Sequence, residues 1–290
     1  THMLLPMTAD DYAPDDRPSD AGQTDERVVP YIRREHMTLP IRRRIEELPE
    51  LDAFWTDDWT PSFYRMQARL GFISVCAPGP SPPPDWVLIP ELQREYAVLD
   101  WDKLRIERGV RRLMDSATEK SAAPARPASP AQLIVEPDPT RALTALVDSW
   151  GEKGWLQPPY VDLMERLATQ QEQAADEGFR IWGVRLVVRE RTIAGEIGYT
   201  IGRTYTSLSG FHRRDNEPGD RRWNNYGKLQ MVLLARHLQE RGIAFWNLGH
   251  PHMDYKLRLG AQVLSRAAFL KRWDEAALGR AVDIGRSVSV

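Results

Sequence analysis

Hydrophobic positions recur at two periods along this chain, and the change of period divides it. In TLPIRRRIEELPELDAFW the apolar Ile41, Ile45 and Leu48 fall at helical spacing and predict a short amphipathic helix. A turn at Thr60-Pro61, a short helix or strand and the apolar strand GFISVC follow, and WVLIP and REYAVLDW read as further strands. KLRIERGVRRLM is predicted as a helix with Leu104, Val110 and Leu113 as its buried stripe. Two more helical periods run through TRALTALVDSWGEKG and PPYVDLMERLATQQEQAADEG. The second places Pro158 and Pro159 where a helix can start without losing a bond. From Phe179 the period shortens: IWGVRLVVRE and TIAGEIGYTIGRTYTSLSGF, rich in β-branched and aromatic residues, predict two strands joined by a turn near 189–192. A polar loop, HRRDNEPGDRRWNN, leads to a helix over about 226–241, a strand in AFWNLG, a short helix near 253–259 and a final strand around 263–271. Strands on both sides of a helix predict a mixed sheet.

Composition adds boundaries to this pattern. Residues 1–28 are acidic and Pro-containing, which predicts a disordered tail. APGPSPPPDW reads as a polyproline-like loop, and SATEKSAAPARPASPAQ, rich in Ala, Pro and Ser, as a linker. The expected organisation is an N-terminal α+β domain over 29–116, a linker over 117–132, a second domain over 133–275 and a tail over 276–290. With 42% hydrophobic residues and ten tryptophans among 290, the chain has enough apolar surface for packed cores. No apolar run approaches the roughly 18 residues that span a bilayer, so no membrane association is expected. The opening THM reads as a cloning remnant, and nothing near it has the pattern of a secretory signal. A single cysteine, Cys76, cannot form an intramolecular disulfide, and these features together predict a cytoplasmic protein. A formal net charge of -2 gives no overall pull towards nucleic acid, so any such contact has to come from local patches.

The order of hairpin, glycine-containing helix start, strand, short helix and strand resembles that of the GNAT acyltransferase fold. The expected class is therefore α+β, a GNAT-like mixed sheet flanked by helices, with the smaller N-terminal α+β domain before it. Over about 59–273 the chain resembles the leucyl/phenylalanyl-tRNA protein transferases. The resemblance is strongest over 184–211 and at the RLGA of Arg258, Leu259, Gly260 and Ala261 with Arg266 beyond. It implies aminoacyl-tRNA as donor, no further cofactor, and an amine as acceptor on a protein N-terminus, a peptide or a small molecule. Two departures stand out: Leu208 replaces a family glutamate and Asn247 a family aspartate. The family's usual acceptor and proton handling are therefore not assumed.

An aminoacyl ester is already activated, so the protein has to hold its carbonyl beside a neutral amine, stabilise an oxyanion and manage one proton. Glu196 and Asn247 are the candidate catalytic residues. By strand alternation Glu196 shares a face with Gly198 and Thr200. A buried Glu196 would have a raised pKa and take the amine proton, whereas a solvent-facing one would be an ordinary strand carboxylate. Asn247 can donate to the oxyanion or orient the amine but cannot act as a base. Tyr205, Ser207, Ser209 and Phe211 in TYTSLSGF, with His252 and Tyr255 in HPHMDYK, are candidate substrate contacts. Trp59, beside Trp55, Phe63 and Tyr64, lines either an amino-acid pocket or the core of its own domain.

Arg105, Arg108 and Arg112, predicted on one helical face, are candidate tRNA contacts, with Arg221 and Arg222 of the loop that also holds Arg213 and Arg214, Lys228 in a helix's first turn, and Lys256. Each of these is equally readable as a solvated surface charge. His250, His252 and Asp254 lack a standard zinc spacing, so no metal is expected, and Asp254 reads as a cap. The glycine-rich loop of CoA users, R/Q-x-x-G-x-G/A, is absent where the helix begins at Asn224, Asn225 and Gly227, which favours an RNA-borne ester over acyl-CoA. The rival readings are a CoA-dependent N-acyltransferase and a non-catalytic RNA- or protein-binding descendant.

Overall fold

The apolar runs from 179 to 212 do become strands, and neither face of their centre is left to water. In a computed structural model that describes residues 29–79, 85–118, 131–151, 154–170, 178–213 and 223–289, the chain forms two compact units. One consists of 1–92 with 152–163, the other of 93–151 with 164–290.

The first unit holds α1 (Leu39–Glu46), α2 (Pro61–Arg69) and the antiparallel pair β1 (Ile73–Pro78) and β2 (Trp86–Glu91). Phe63 and Tyr64 are fully buried here, and the Tyr64 and Tyr160 hydroxyls are 3.0 Å apart, with Tyr160 also donating to the Ser74 carbonyl at 2.9 Å. Trp59 donates its indole N–H to the Trp86 carbonyl at 3.2 Å. These aromatics are therefore packed into their own unit. The helix α1 ends before Leu48, which is exposed rather than part of a buried stripe.

The second unit contains β3 (Glu95–Leu99), α3 (Arg108–Thr118), β4 (Gln132–Glu136), α4 (Thr140–Trp150), most of α5 (Pro158–Gln170), β5 (Phe179–Val188), β6 (Arg191–Ile201) and β7 (Thr204–His212). It continues through α6 (Tyr226–Glu240), β8 (Phe245–Asn247), α7 (Asp254–Leu259), β9 (Gln262–Ser265), α8 (Arg266–Ala276) and β10 (Arg286–Ser289). Its eight-stranded sheet has the order β10-β4-β5-β6-β7-β8-β3-β9. Every pair is antiparallel except β7 with β8, which are joined through α6, so the sheet is mixed as expected. Both α4 and α6 pack on β6, and its burial is continuous from Ile193 to Ile201. That is why the strand reads as an unbroken apolar run rather than an alternating one.

Five expectations need correction. The segment 193–211 is two strands, because the chain reverses at Gly202 and Arg203, whose neighbours Ile201 and Thr204 pair with each other. The helix expected from Lys103 begins only at Arg108; a single 3-10 turn, Trp101–Lys103, precedes it, and the Arg105 N–H is taken by the Leu259 carbonyl at 2.8 Å. The final strand stops at Ser265, whose side chain accepts from the Ala268 N–H and starts α8. The strand β3 and helix α3, expected in the N-terminal domain, belong to the large sheet's unit, where Tyr96 stacks on Phe269 at 3.7 Å. The stretch after 276 is no tail: Ile284 is fully buried, its carbonyl accepts from the His237 ring at 2.6 Å, and β10 pairs with β4. The predicted disordered segment 1–28 and residues 119–130 of the linker lie outside the described residues. Among the described residues, no helix is long and apolar enough to cross a membrane.

Candidate active site

The parallel pairing of β7 with β8 covers only Thr204 to Thr206 opposite Phe245 to Asn247. Beyond that point β7 runs on to His212, while β8 ends, so the two strands part and β7 offers an edge in the middle of the sheet. On its other side β7 stays paired with β6, but the register slips between Ile197 and Gly198, with Ser209 opposite Ile197 and Ser207 opposite Gly198. Leu208 is the extra residue of this bulge. A bulge re-aims the side chains around it, and Ser207 turns towards β6.

At the bulge sits Glu196, only 4% exposed. Its Oε1 accepts from the Ser207 hydroxyl at 2.6 Å and the Tyr205 hydroxyl at 3.0 Å, and its Oε2 accepts from the Gln230 amide at 3.2 Å. Trp246 in turn donates its indole N–H to Ser207 Oγ at 2.8 Å, which fixes the serine proton on Glu196. Burial pushes the Glu196 carboxyl above the usual carboxylate range, and the bonds from Ser207, Gln230 and Tyr205 pull it part of the way back. Tyr205 is held well above the ordinary phenol range by burial and then by the Glu196 charge, so it stays a donor. Room for that hydroxyl depends on Gly198. A Cβ there would lie 2.4 Å from Tyr205 Oη and 2.6 Å from the Thr206 carbonyl, closer than any side chain is tolerated.

Tyr255, on α7, is 38% exposed and lines a recess with Lys228, Met231 and Val232 of α6, the helix that also carries Gln230; burial and then the charge of Glu196 raise its pKa. Its neighbour Lys256 is buried and donates to the His250 carbonyl at 2.6 Å, and burial lowers its pKa to about 8. This ammonium pins the turn that presents Tyr255, so its assignment as a tRNA contact is corrected: it is turned inward. His252 is exposed, its ring stacked with that of His250 at 5.7 Å.

Asn247 closes the apex where the strands part. It is 1% exposed, its Oδ1 accepts from the Gly249 N–H at 3.0 Å and its Nδ2 donates to Thr206 Oγ1 at 3.3 Å. The amide is engaged at both ends, and its work is to hold β8 and its following turn against β7. An aspartate would serve as well, accepting from Gly249 and from the Thr206 hydroxyl. Asn247→Asp is therefore expected to keep turnover within about threefold of the parent, and Asn247→Ala to lose roughly tenfold and 1–2 kcal/mol of stability. Comparing turnover and thermal melting for the two variants checks this.

The remaining candidates are spread out. Ser209 and Phe211 lie half-buried along β7 beyond the bulge. Lys228 is paired with Glu107 at 2.6 Å. Arg108 and Arg112 are exposed on α3, whereas Arg105 precedes that helix. Arg221 and Arg222 lie outside the described residues, as does Arg214. Trp59 belongs to the first unit. That unit also has a cavity of about 230 Å³, but its lining is mostly apolar and has none of the groups around Glu196. Sequence reasoning missed Gln230 and Trp246. Gln230 was findable, since it is the one amide inside the apolar stretch LQMVLLA of α6. No group of three or more His, Cys, Asp or Glu suited to a metal exists among the described residues.

The parting strands and the buried acid lie within a matched family segment: residues 106–257, just over half of the chain, match the acetyltransferase (GNAT) domain. The chain belongs to that family. Two solved structures to which it is similar are distant in sequence. The C-terminal domain of an Agrobacterium fabrum protein assigned as a lysylphosphatidylglycerol synthetase is 13% identical, with 85% of this chain and 79% of that one covered at a TM-score of 0.37. FemX is 12% identical, with 78% and 73% covered at 0.40. Curated protein sequences offer no match.

Proposed function

We propose that this GNAT domain transfers an aminoacyl group from the ester of an aminoacyl-tRNA to an amine of a protein N-terminus, a peptide or a small molecule. The observation that carries the transfer to nitrogen is Glu196: a buried carboxylate with raised pKa, donor-saturated on Oε1 and placed at the point where β7 and β8 part. The amine has to be neutral to attack. Ser207 Oγ has a lone pair left after accepting from Trp246, and its own proton already points at Glu196. As the nitrogen attacks the ester carbonyl, its proton passes to Ser207 while the serine proton passes to Glu196 Oε1. The tetrahedral oxyanion is met by backbone N–H groups of the unpaired β7 edge, the ribose oxygen leaves with a proton from Tyr255, and the proton held by Glu196 then returns through solvent to the Tyr255 oxygen, which resets the site. The products are an amide and a free ribose hydroxyl.

Support for an ester on RNA, rather than a thioester on CoA, comes from the sequence: the motifs around 184–211 and RLGA, and a start of α6 that lacks the glycine-rich phosphate loop. A second reading, acetyl transfer from acetyl-CoA, is favoured by the description of the matched family. The deciding experiment incubates the full chain with a tRNA pool charged with labelled amino acids and a mixture of peptide and small amine acceptors. Base-stable label on an acceptor is the expected result. Label remaining on tRNA, while acetyl-CoA donates under the same conditions, would replace the first reading by the second.

A further inference from the structure

The helix α3 has two faces of opposite character. Val110 is buried and Leu113 and Met114 pack partly buried against the core of the large sheet's unit, while Arg108, Arg111 and Arg112 are all exposed. At 100° per residue those three arginines span about 100° of arc on the side away from the buried stripe. Arg105, just before the helix, and Arg258, on α7, extend this basic face, and both line the small recess that also contains Tyr255. None of these five arginine side chains has an ion-pair partner among the described residues, whereas Lys103, Lys228 and Arg272 nearby are matched to Asp102, Glu107 and Asp100. In a chain with 39 basic and 41 acidic residues, leaving five neighbouring arginines unmatched is a local departure from balance.

The basic face is also tied to the active site. The Arg105 N–H bonds the Leu259 carbonyl at 2.8 Å, and Gly260, at φ +110°, lies so close to the Lys103 carbonyl that an added Cβ would be 1.9 Å from it. The segment that leads into α3 is thus fastened to the helix that presents Tyr255. We propose that Arg108, Arg111 and Arg112, continued by Arg105 and Arg258, grip the phosphodiester backbone of an RNA donor near its 3′ end and lead that end to Tyr255. This rests on the aminoacyl-tRNA reading and names the surface that serves it. A compact diphosphate needs one cradle, whereas a row of cations running from a helix to the mouth of a site suits a chain of evenly spaced phosphates. That the row is entirely arginine fits the same ligand, because the guanidinium fork matches phosphate oxygens in pairs.

The test uses the full chain and a fluorescent RNA hairpin with a single-stranded CCA 3′ end, titrated across salt, with polyglutamate as a competing polyanion. In the variant Arg108→Ser, Arg111→Ser, Arg112→Ser, affinity for the hairpin is expected to fall at least about tenfold near 0.1 M salt. The slope of log affinity against log salt should become shallower by about 2, because each single-strand phosphate that a cation neutralises adds roughly 0.7 to it. Melting should not change, since the three side chains are exposed. The same affinity and slope in parent and variant, with transfer from charged tRNA intact, would overturn the surface and spare the reaction. A parent that binds no RNA would remove both, and polyglutamate binding as tightly as the hairpin would mark the basic face as a site for acidic protein instead.

Discussion

Glu196→Gln is expected to lower transfer by about 10²–10⁴-fold, the range lost with a positioned general base, without weakening the fold. The substitution is nearly isosteric, and its partners can adapt. A glutamine Oε1 still accepts from Tyr205 and Ser207, and Gln230 need only rotate its amide to offer oxygen to the new Nε2. The pH dependence separates chemistry from structure. Burial raises the folded-state pKa of Glu196 above its unfolded value. Its contribution to stability is therefore fully present below the unfolded pKa and is lost as pH rises through the folded one, where the buried group must ionise. The glutamine variant escapes that loss, so its melting temperature at neutral pH should equal or exceed the parent's. Transfer by the parent should rise with pH first as the carboxylate forms and then as the amine becomes neutral, and only the first rise should be missing from the variant's residual rate. Retention of the parent rate within about threefold would remove Glu196 from the proton path.

Much of this site was legible in the chain. Glu196 is the only acid in the run TIAGEIGYTI, which marks it as a candidate; alternation sets it beside Gly198 and Thr200 and leaves its burial open, and the packing of α4 and α6 on β6 decides that. Tyr205 and Ser207 follow at the spacing of one strand's reach. What alternation cannot give is the bulge at Leu208, which changes the register on which facing depends, so the convergence of Ser207 on Glu196 is a fact of the folded sheet. The turn at Gly202 and Arg203 was hidden for a similar reason: two residues between long β-branched runs leave no polar stretch to mark a loop. Short pieces escaped at the sheet's margin. The strand β4 adjoins a stretch rich in Ala and Pro, and β10 has only four residues, so each depends on its neighbours rather than on its own pattern. The misplacement of Arg105 has a tertiary cause, since its N–H is committed to a carbonyl more than a hundred residues away.

Gly260→Ala should be among the most damaging single substitutions in the large unit, costing roughly 3–5 kcal/mol from a backbone clash and left-handed strain together, or a fall in Tm of about 10 °C. At φ +110° an L side chain is already unfavourable, and the Cβ would meet the Lys103 carbonyl oxygen at 1.9 Å and its carbon at 2.8 Å. Those are main-chain atoms, so no rotamer change relieves them. The C-terminal end of α7 would have to lift from the Lys103 to Arg105 segment, breaking the Arg105 to Leu259 bond. Gly242→Ala is the control: φ is +78° there, yet nothing lies within 4 Å of the added Cβ, so it isolates the conformational cost at roughly 1 kcal/mol. Melting the two variants side by side therefore measures the clash itself, and equal falls in Tm would show that Gly260 is needed only for its backbone angle. The RLGA motif gains a physical meaning from this. Its glycine is the one residue that lets the helix bearing Tyr255 touch the backbone ahead of α3, so damage at Gly260 should reach turnover as well as stability, by withdrawing the phenol from Glu196.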